Sequence, residues 1–74
     1  MIYVRVKSYY QDGRFTGCEH AYGGVNQQEA LERFDSEMPE HRECYKVAEY
    51  IDDKDEEWKE WFRVARGCGC VHFF

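Results

Sequence analysis

Five cysteine and histidine residues form two short alternating motifs that could bind a metal ion. In Cys18-x-His20 and Cys68-x-Cys70-x-His72 the side chains are two residues apart, and such residues project from the same face of a β-strand. If the two strands are neighbours, Cys18, His20, Cys70 and His72 could converge on tetrahedral zinc. The spacing differs from the C-x(2–4)-C knuckles of structural zinc sites, which wrap a turn around the metal. The candidate metal ligands are Cys18, Cys68, Cys70 and His72.

The same cysteines have other interpretations. Free cysteine behaves as a small apolar residue, so half-buried strand positions are the simplest alternative. A disulfide among Cys18, Cys44, Cys68 and Cys70 would need an oxidising compartment, whereas the sequence begins without the layout of a signal peptide, which favours reduced thiols and a cytoplasmic location. A Cys/His nucleophilic pair would need a substrate pocket of roughly 300 Å³ or more, which we do not expect in so short a chain. We therefore expect no enzymatic activity and no cofactor other than zinc.

The first 22 residues are predicted to form a β-hairpin. Residues 2–10 alternate between apolar and polar side chains, which is the period of a strand with one buried face. Asp12-Gly13 is typical of a two-residue type I′ turn, in which both residues adopt positive φ. Residues 15–22 then return as a second strand.

The register of this hairpin decides which face carries the first metal-binding motif. A two-residue turn puts Tyr3 opposite Tyr22 and places Cys18 and His20 on the solvent-exposed face. The same register puts Glu19 on the apolar face, which indicates a bulge in the second strand. A bulge would reverse the assignment of Cys18 and His20.

Capping signals and helical periodicity predict two helices. Asn26 begins a capping-box pattern at the start of the first helix, and Pro39 ends it. Asp53, with Glu56 three residues later, begins the second helix. A β-hairpin with its loop at residues 52–57 is the rival interpretation, but the aromatic spacing favours a helix. The predicted apolar faces comprise Ala30, Leu31, Phe34 and Met38 in the first helix and Trp58, Trp61, Phe62 and Ala65 in the second.

Residues 44–51 and 70–74 are predicted to form the third and fourth strands, which gives the order ββαβαβ. Connections between parallel strands are right-handed in nearly all proteins, so successive crossovers in one direction place their helices on the same side. We therefore predict one α+β domain spanning residues 1–74. It is a two-layer sandwich with a four-stranded mixed sheet, two helices on one face and the other face open.

The negative charge is concentrated in the middle of the chain, where residues 26–66 hold 13 acids and 7 bases. The whole chain has a net charge of −5, and residues 49–60 hold seven acids against two bases. This cluster is either a solvated surface at the positive end of the second helix dipole or an acidic patch that imitates the phosphates of nucleic acid and attracts a basic protein groove. Calcium is not expected, because the alternating ligands and central glycine of an EF-hand loop are missing.

Tyrosine and basic residues alternate on the predicted open face of the sheet. Tyr3, Tyr9 and Tyr22 would lie there beside Arg5 and Lys7, an arrangement that single-stranded nucleic-acid binders use for stacking and phosphate contact. A net charge of −5 repels a polyanion, so a protein contact or a homodimer is the preferred interpretation. Single-stranded RNA binding by the sheet face remains a weaker alternative.

Together these features predict a non-enzymatic protein that binds a partner and occludes its surface. In size, acidity and absence of a motif the chain resembles the small inhibitors carried by phages and mobile elements, anti-CRISPR proteins among them. That resemblance implies an inhibitor of a nucleic-acid-binding complex and assigns no residues. We expect a protein partner with a basic surface rather than nucleic acid or a membrane, since no stretch approaches the roughly 20 apolar residues of a membrane span. The alternative is a small zinc-binding or redox-responsive module. The candidate partner-binding residues are Asp52, Asp53, Asp55, Glu56, Glu57, Glu60, Tyr3, Tyr9 and Tyr22.

Overall fold

Four strands form one mixed sheet, with a helix packed on each face. The computed structural model describes the backbone of residues 1–68 and 70–73 and the side chains of residues 1–65 and 70–73. The elements are β1 (Ile2–Tyr9), β2 (Phe15–Gly23), α1 (Gln27–Glu37), a 3₁₀ turn (Pro39–His41), β3 (Tyr45–Asp52), α2 (Glu56–Cys68) and β4 (Val71–Phe73). The strand order is β3-β1-β2-β4, with β2 and β4 parallel and the other neighbours antiparallel. The predicted α+β class, mixed sheet and two helices are confirmed.

The hairpin turn has three residues, 11–13, so the prediction of a two-residue type I′ turn is wrong. The Gly13 amide donates to the Tyr10 carbonyl at 2.9 Å, and the Tyr10 amide donates to the Arg14 carbonyl at 2.8 Å. Gly13 has φ of 92°, whereas Asp12 does not have positive φ. A type I turn followed by a left-handed glycine needs positive φ at one residue instead of two, and thus avoids strain at Asp12.

This third loop residue shifts the register by one and moves every β2 side chain to the other face of the sheet. The predicted irregularity is also present: the pairing shifts again near Gly17, whose φ is 88°. This irregularity inserts two extra residues into β2. Because side chains alternate with a period of two, the insertion does not change which face each β2 side chain occupies. As a result, His20 lies opposite Val6 and Glu19 lies opposite Lys7. The awkward placement of Glu19 on the apolar face is thereby removed.

The helices lie on opposite faces of the sheet rather than together on one. Ala30 and Phe34 of α1 pack with Val4, whereas Trp58 of α2 packs with Tyr3, and adjacent strand residues point to opposite faces. We call these two sides the α1 face and the α2 face. The strand order explains the difference. The β2-α1-β3 crossover runs in one direction along the sheet and the β3-α2-β4 crossover runs back, so two right-handed connections place their helices on opposite sides.

Side-chain caps fix the starts of both helices. Asn26 Oδ1 accepts the Glu29 amide at 2.8 Å, which confirms the predicted cap of α1. In α2 the capping side chain is Asp55, which accepts the Glu57 amide at 2.9 Å, and not Asp53 as predicted. The predicted apolar faces are confirmed, since Ala30, Phe34, Trp58 and Ala65 are buried and Leu31, Met38, Trp61 and Phe62 pack beside them. Over the described part of the chain, neither helix has the length and apolar composition needed to cross a membrane.

Candidate functional site

The acidic cluster predicted as a binding patch lies at the end of β3 and the start of α2, where it is partly neutralised. Its members are Asp52, Asp53, Asp55, Glu56, Glu57 and Glu60. The N-terminal ammonium lies 2.9 Å from Asp53, and Arg5 lies 2.7 Å from Glu57. Asp55 is used as the helix cap, and the Lys54 amide lowers the pKa of Asp52. Cations from β1 and the N-terminus therefore offset part of the charge that the sequence concentrates here.

The predicted tyrosine stripe does not form. Tyr3 and Tyr22 are both buried, at 5% and 1% exposure, and they lie on opposite faces because the register differs from the predicted one by one residue. Arg5 is buried as well. Of the three tyrosines proposed to contact a partner, Tyr9 alone keeps a partly accessible ring.

Tyr9 instead belongs to an exposed aromatic cluster that the sequence did not reveal. Its ring centroid lies 5.6 Å from that of Phe15 on β2 and 6.4 Å from that of Tyr45 on β3. Phe15 is 47% exposed and Tyr45 is 64% exposed. These three residues, called the aromatic end, lie on the α2 face at the hairpin end of the sheet. The Trp58 side chain of α2 packs toward the opposite end of that face, which leaves the three rings accessible.

The second site is on the α1 face, where two histidines meet a carboxylate. β4 pairs with β2, as the zinc hypothesis requires, and His72 lies opposite Tyr22. The ring centroids of His20 and His72 are 5.1 Å apart. Among the described residues, the group of three metal-binding side chains that come together is His20, Glu37 and His72, whose donor atoms all lie within 4.8 Å of one another. We call this group the His-Glu-His cluster.

Neither Cys18 nor Cys70, two of the predicted ligands, is in this cluster. Cys18 packs against the core of the α1 face, and Cys18, His20 and Cys70 line a surface groove of about 370 Å³ together with Trp61. The expectation that so short a chain would have no pocket of this volume is therefore wrong. Burial, and then the neighbouring Cys70, raise the pKa of Cys18, which keeps its thiol protonated and a poor nucleophile. The Cys68 side chain lies outside the described residues.

Hydrogen bonds hold the Glu37 carboxylate in place. The Tyr22 hydroxyl donates to Glu37 Oε1 at 2.5 Å and lies 3.3 Å from His20 Nδ1. His72 Nδ1 lies 3.3 Å from Glu37 Oε2. Burial and the contact with Glu37 raise the pKa of Tyr22, so the phenol remains a hydrogen-bond donor. Burial, and then His72, lower the pKa of His20, which favours its neutral form.

Glu37 is the residue that sequence reasoning missed, because helical periodicity placed it on the outward side of α1. It lies in the last turn of the helix, in which no basic residue is found. A carboxylate is disfavoured there by the negative end of the helix dipole. The unfavourable position of an acidic residue in the last turn of a helix is a signal in the sequence that could have identified Glu37.

No family model, curated protein or solved structure matches this chain. Its function therefore has to be inferred from its own residues.

Proposed function

We propose that this protein is a non-catalytic binding protein that occludes a basic surface of a protein partner. The observation that carries the proposal is the aromatic end. Three rings pack together on the sheet, and Phe15 and Tyr45 expose about half or more of their surface. Exposed aromatic side chains are enriched at protein interfaces, because each supplies a large contact area at a low cost in side-chain entropy.

The surroundings of the aromatic end favour a protein over nucleic acid. Stacking on single strands is normally combined with cations that contact phosphate. Arg5 cannot do this, because its side chain is 4% exposed and is bonded to Glu49 and Glu57. The ammonium of Lys7, the next cation on this face, lies 3.7 Å from Glu49.

The charge of the molecule favours a basic partner. The net charge is −5, and α2 presents exposed carboxylates on the same side of the sheet as the aromatic end. The Glu56 side chain is 87% exposed and that of Glu57 is 66% exposed. An aromatic centre on the same side of the sheet as acidic groups fits a basic protein surface, where the carboxylates speed the encounter. The nucleic-acid-binding face of a protein complex is such a surface, and its occlusion would make this chain an inhibitor.

The test compares capture by the wild-type chain with capture by two variants. Phe15→Ser/Tyr45→Ser removes the aromatic end, while Tyr50→Ser is the matched control, because Tyr50 is 56% exposed but lies opposite Val4 on the α1 face. Tagged full-length chains are incubated with extract of the source cells, with and without nuclease treatment, and the captured protein is then purified for affinity measurement.

We expect the double variant to bind that protein at least about 30-fold more weakly, which corresponds to the roughly 2 kcal/mol of an interface hot spot. Tyr50→Ser should bind like the wild type, and the wild-type affinity should fall as salt rises.

Equal binding by all three chains would refute the proposed surface. Capture that nuclease abolishes would favour nucleic acid instead, and self-association through the aromatic end would indicate a homodimer.

A further inference from the structure

We propose that His20, Glu37 and His72 bind a divalent zinc ion, with neither Cys18 nor Cys70 as a ligand. The three side chains come from β2, α1 and β4, and they are brought together by the pairing of β4 with β2 and by the packing of α1 on the sheet. This site lies on the α1 face, whereas the aromatic end lies on the α2 face. The two proposals are therefore independent of each other.

The distances between donor atoms suit a tetrahedral ion. Zinc bonds of about 2.0–2.2 Å separate two ligand atoms by roughly 3.3–3.6 Å. His72 Nδ1 lies 3.3 Å from Glu37 Oε2, and His20 Nδ1 lies 3.8 Å from Glu37 Oε1. All three donor atoms lie within 4.8 Å of one another, so binding would require the side chains to close by about 1 Å.

The two ring nitrogens of His72 have different surroundings. Its Nε2 atom is buried and has no hydrogen-bond partner among the described residues. Its other ring nitrogen faces the Glu37 carboxylate, which accepts hydrogen bonds and cannot donate them when ionised. Nδ1 is therefore the ring nitrogen of His72 that is placed to bind an ion beside Glu37.

Supporting contacts around the cluster resemble those of metal sites, in which neighbouring groups orient the ligands. Tyr22 donates to Glu37 from one side. The ring of His20 lies edge-on to Phe34, with centroids 5.4 Å apart, and the ring of His72 is stacked on Tyr22 at 5.1 Å. These aromatic contacts limit the rotation of both imidazoles.

The chemistry of the ligands favours zinc over calcium and magnesium. Calcium and magnesium prefer sets made of oxygen atoms, whereas two imidazoles with one carboxylate suit zinc. Three protein ligands leave the fourth position of a tetrahedron for water. Because the cluster joins the end of α1 to two strands, bound zinc would hold β4, a strand of three residues, against the rest of the sheet.

The experiment titrates ZnCl₂ into the metal-free full-length chain by calorimetry. The test variants are Glu37→Gln and His72→Asn, which nearly preserve side-chain size. His41→Asn is the matched control, because His41 is the remaining histidine and lies outside the cluster. Cys18→Ser/Cys70→Ser tests the thiols. Circular dichroism of each variant establishes that it is folded before titration.

We expect one zinc ion per wild-type chain, and unchanged affinity in His41→Asn and in Cys18→Ser/Cys70→Ser. Each test variant should bind more than about 100-fold more weakly, since changing supporting groups alone costs roughly 10–100-fold. Tyr22→Phe removes the hydroxyl that positions Glu37, so its zinc affinity should be roughly 10–100-fold weaker than that of the wild type.

The proposal is overturned if the folded wild-type chain binds no zinc, or if Glu37→Gln binds as tightly as the wild type. A second readout does not depend on affinity: Co²⁺ in place of zinc should give the weak visible bands of nitrogen and oxygen ligands. An intense thiolate-to-cobalt charge-transfer band would show that cysteines bind the metal instead. If a histidine variant fails to fold, this spectrum of the wild-type chain still decides the outcome.

Discussion

The buried guanidinium of Arg5 should strongly destabilise the fold when both of its carboxylate partners are neutralised. Its Nε and Nη2 atoms donate to Glu49 Oε1 at 3.1 and 2.6 Å, and Nη2 donates to Glu57 Oε1 at 2.7 Å. The Arg5 side chain is 4% exposed, while those of Glu49 and Glu57 are 43% and 66% exposed. The acids can therefore return to water, but the cation cannot.

The perturbation is the double variant Glu49→Gln/Glu57→Gln, which keeps side-chain size and removes both negative charges. An uncompensated buried charge costs about 3–5 kcal/mol, and we expect the lower part of that range because glutamine still offers a carbonyl acceptor. A chain of this length has a free energy of unfolding of about 4–11 kcal/mol. A loss of about 3 kcal/mol should lower the melting temperature by roughly 12–24 °C.

The assay is guanidinium unfolding followed by the fluorescence of Trp58, which is buried in the core. The triple variant that adds Arg5→Met is the control. Methionine fills the space of the arginine stem without a charge, so most of the lost stability should return. A double variant within about 0.5 kcal/mol of the wild type would refute the reasoning, since surface substitutions commonly stay within that range. A triple variant no more stable than the double would show that the orphaned charge is not the cause.

Two further predictions concern acid stability and the packing of Gly23. The guanidinium of Arg5 holds the pKa of Glu57 below its ordinary value of 4.5, so the stability it contributes is present above pH 4.5 and is lost as the pH falls through the lower folded value. The midpoint of urea unfolding should fall in that acid range, and an equally steep fall in Glu57→Gln would contradict this cause. In Gly23→Ala the new Cβ would lie 3.1 Å from the ring of Tyr3 and 3.2 Å from that of Phe73. Because Tyr3 is buried, we expect the free energy of unfolding in chemical denaturation to fall by about 1–3 kcal/mol. An unchanged midpoint would show that the two rings move aside without a cost in stability.

The aromatic end and the His-Glu-His cluster, which carry the two proposals, lie on opposite faces of the sheet. Partner binding would use Tyr9, Phe15 and Tyr45 on the α2 face, and zinc would bind beyond the sheet on the α1 face. Loss of zinc should therefore weaken partner binding only through the stability of the fold. Measuring partner affinity of the zinc-free chain at a temperature where it is folded separates the two effects.

Local sequence determined the elements themselves. Three signals act within a few residues and can be recognised without knowledge of distant contacts. They are the alternation in residues 2–10, the Asn26 cap and the end of the first helix at Pro39. The same holds for the apolar face of α2, because its spacing depends only on helical geometry. The Cys/His motifs also correctly directed attention to β2 and β4, which are neighbours in the sheet.

Tertiary structure alone decided how those elements face one another. One additional loop residue at the hairpin reversed the faces of β2, because side chains alternate with a period of two. The reversal of direction between the two crossovers placed α2 opposite α1, and strand order depends on long-range pairing that no local pattern encodes. Glu37 reached His20 and His72 only through that packing, and Arg5 came to offset acids 44 and 52 residues away. The sequence by itself determined which chemical groups were available, and the fold decided which of them meet.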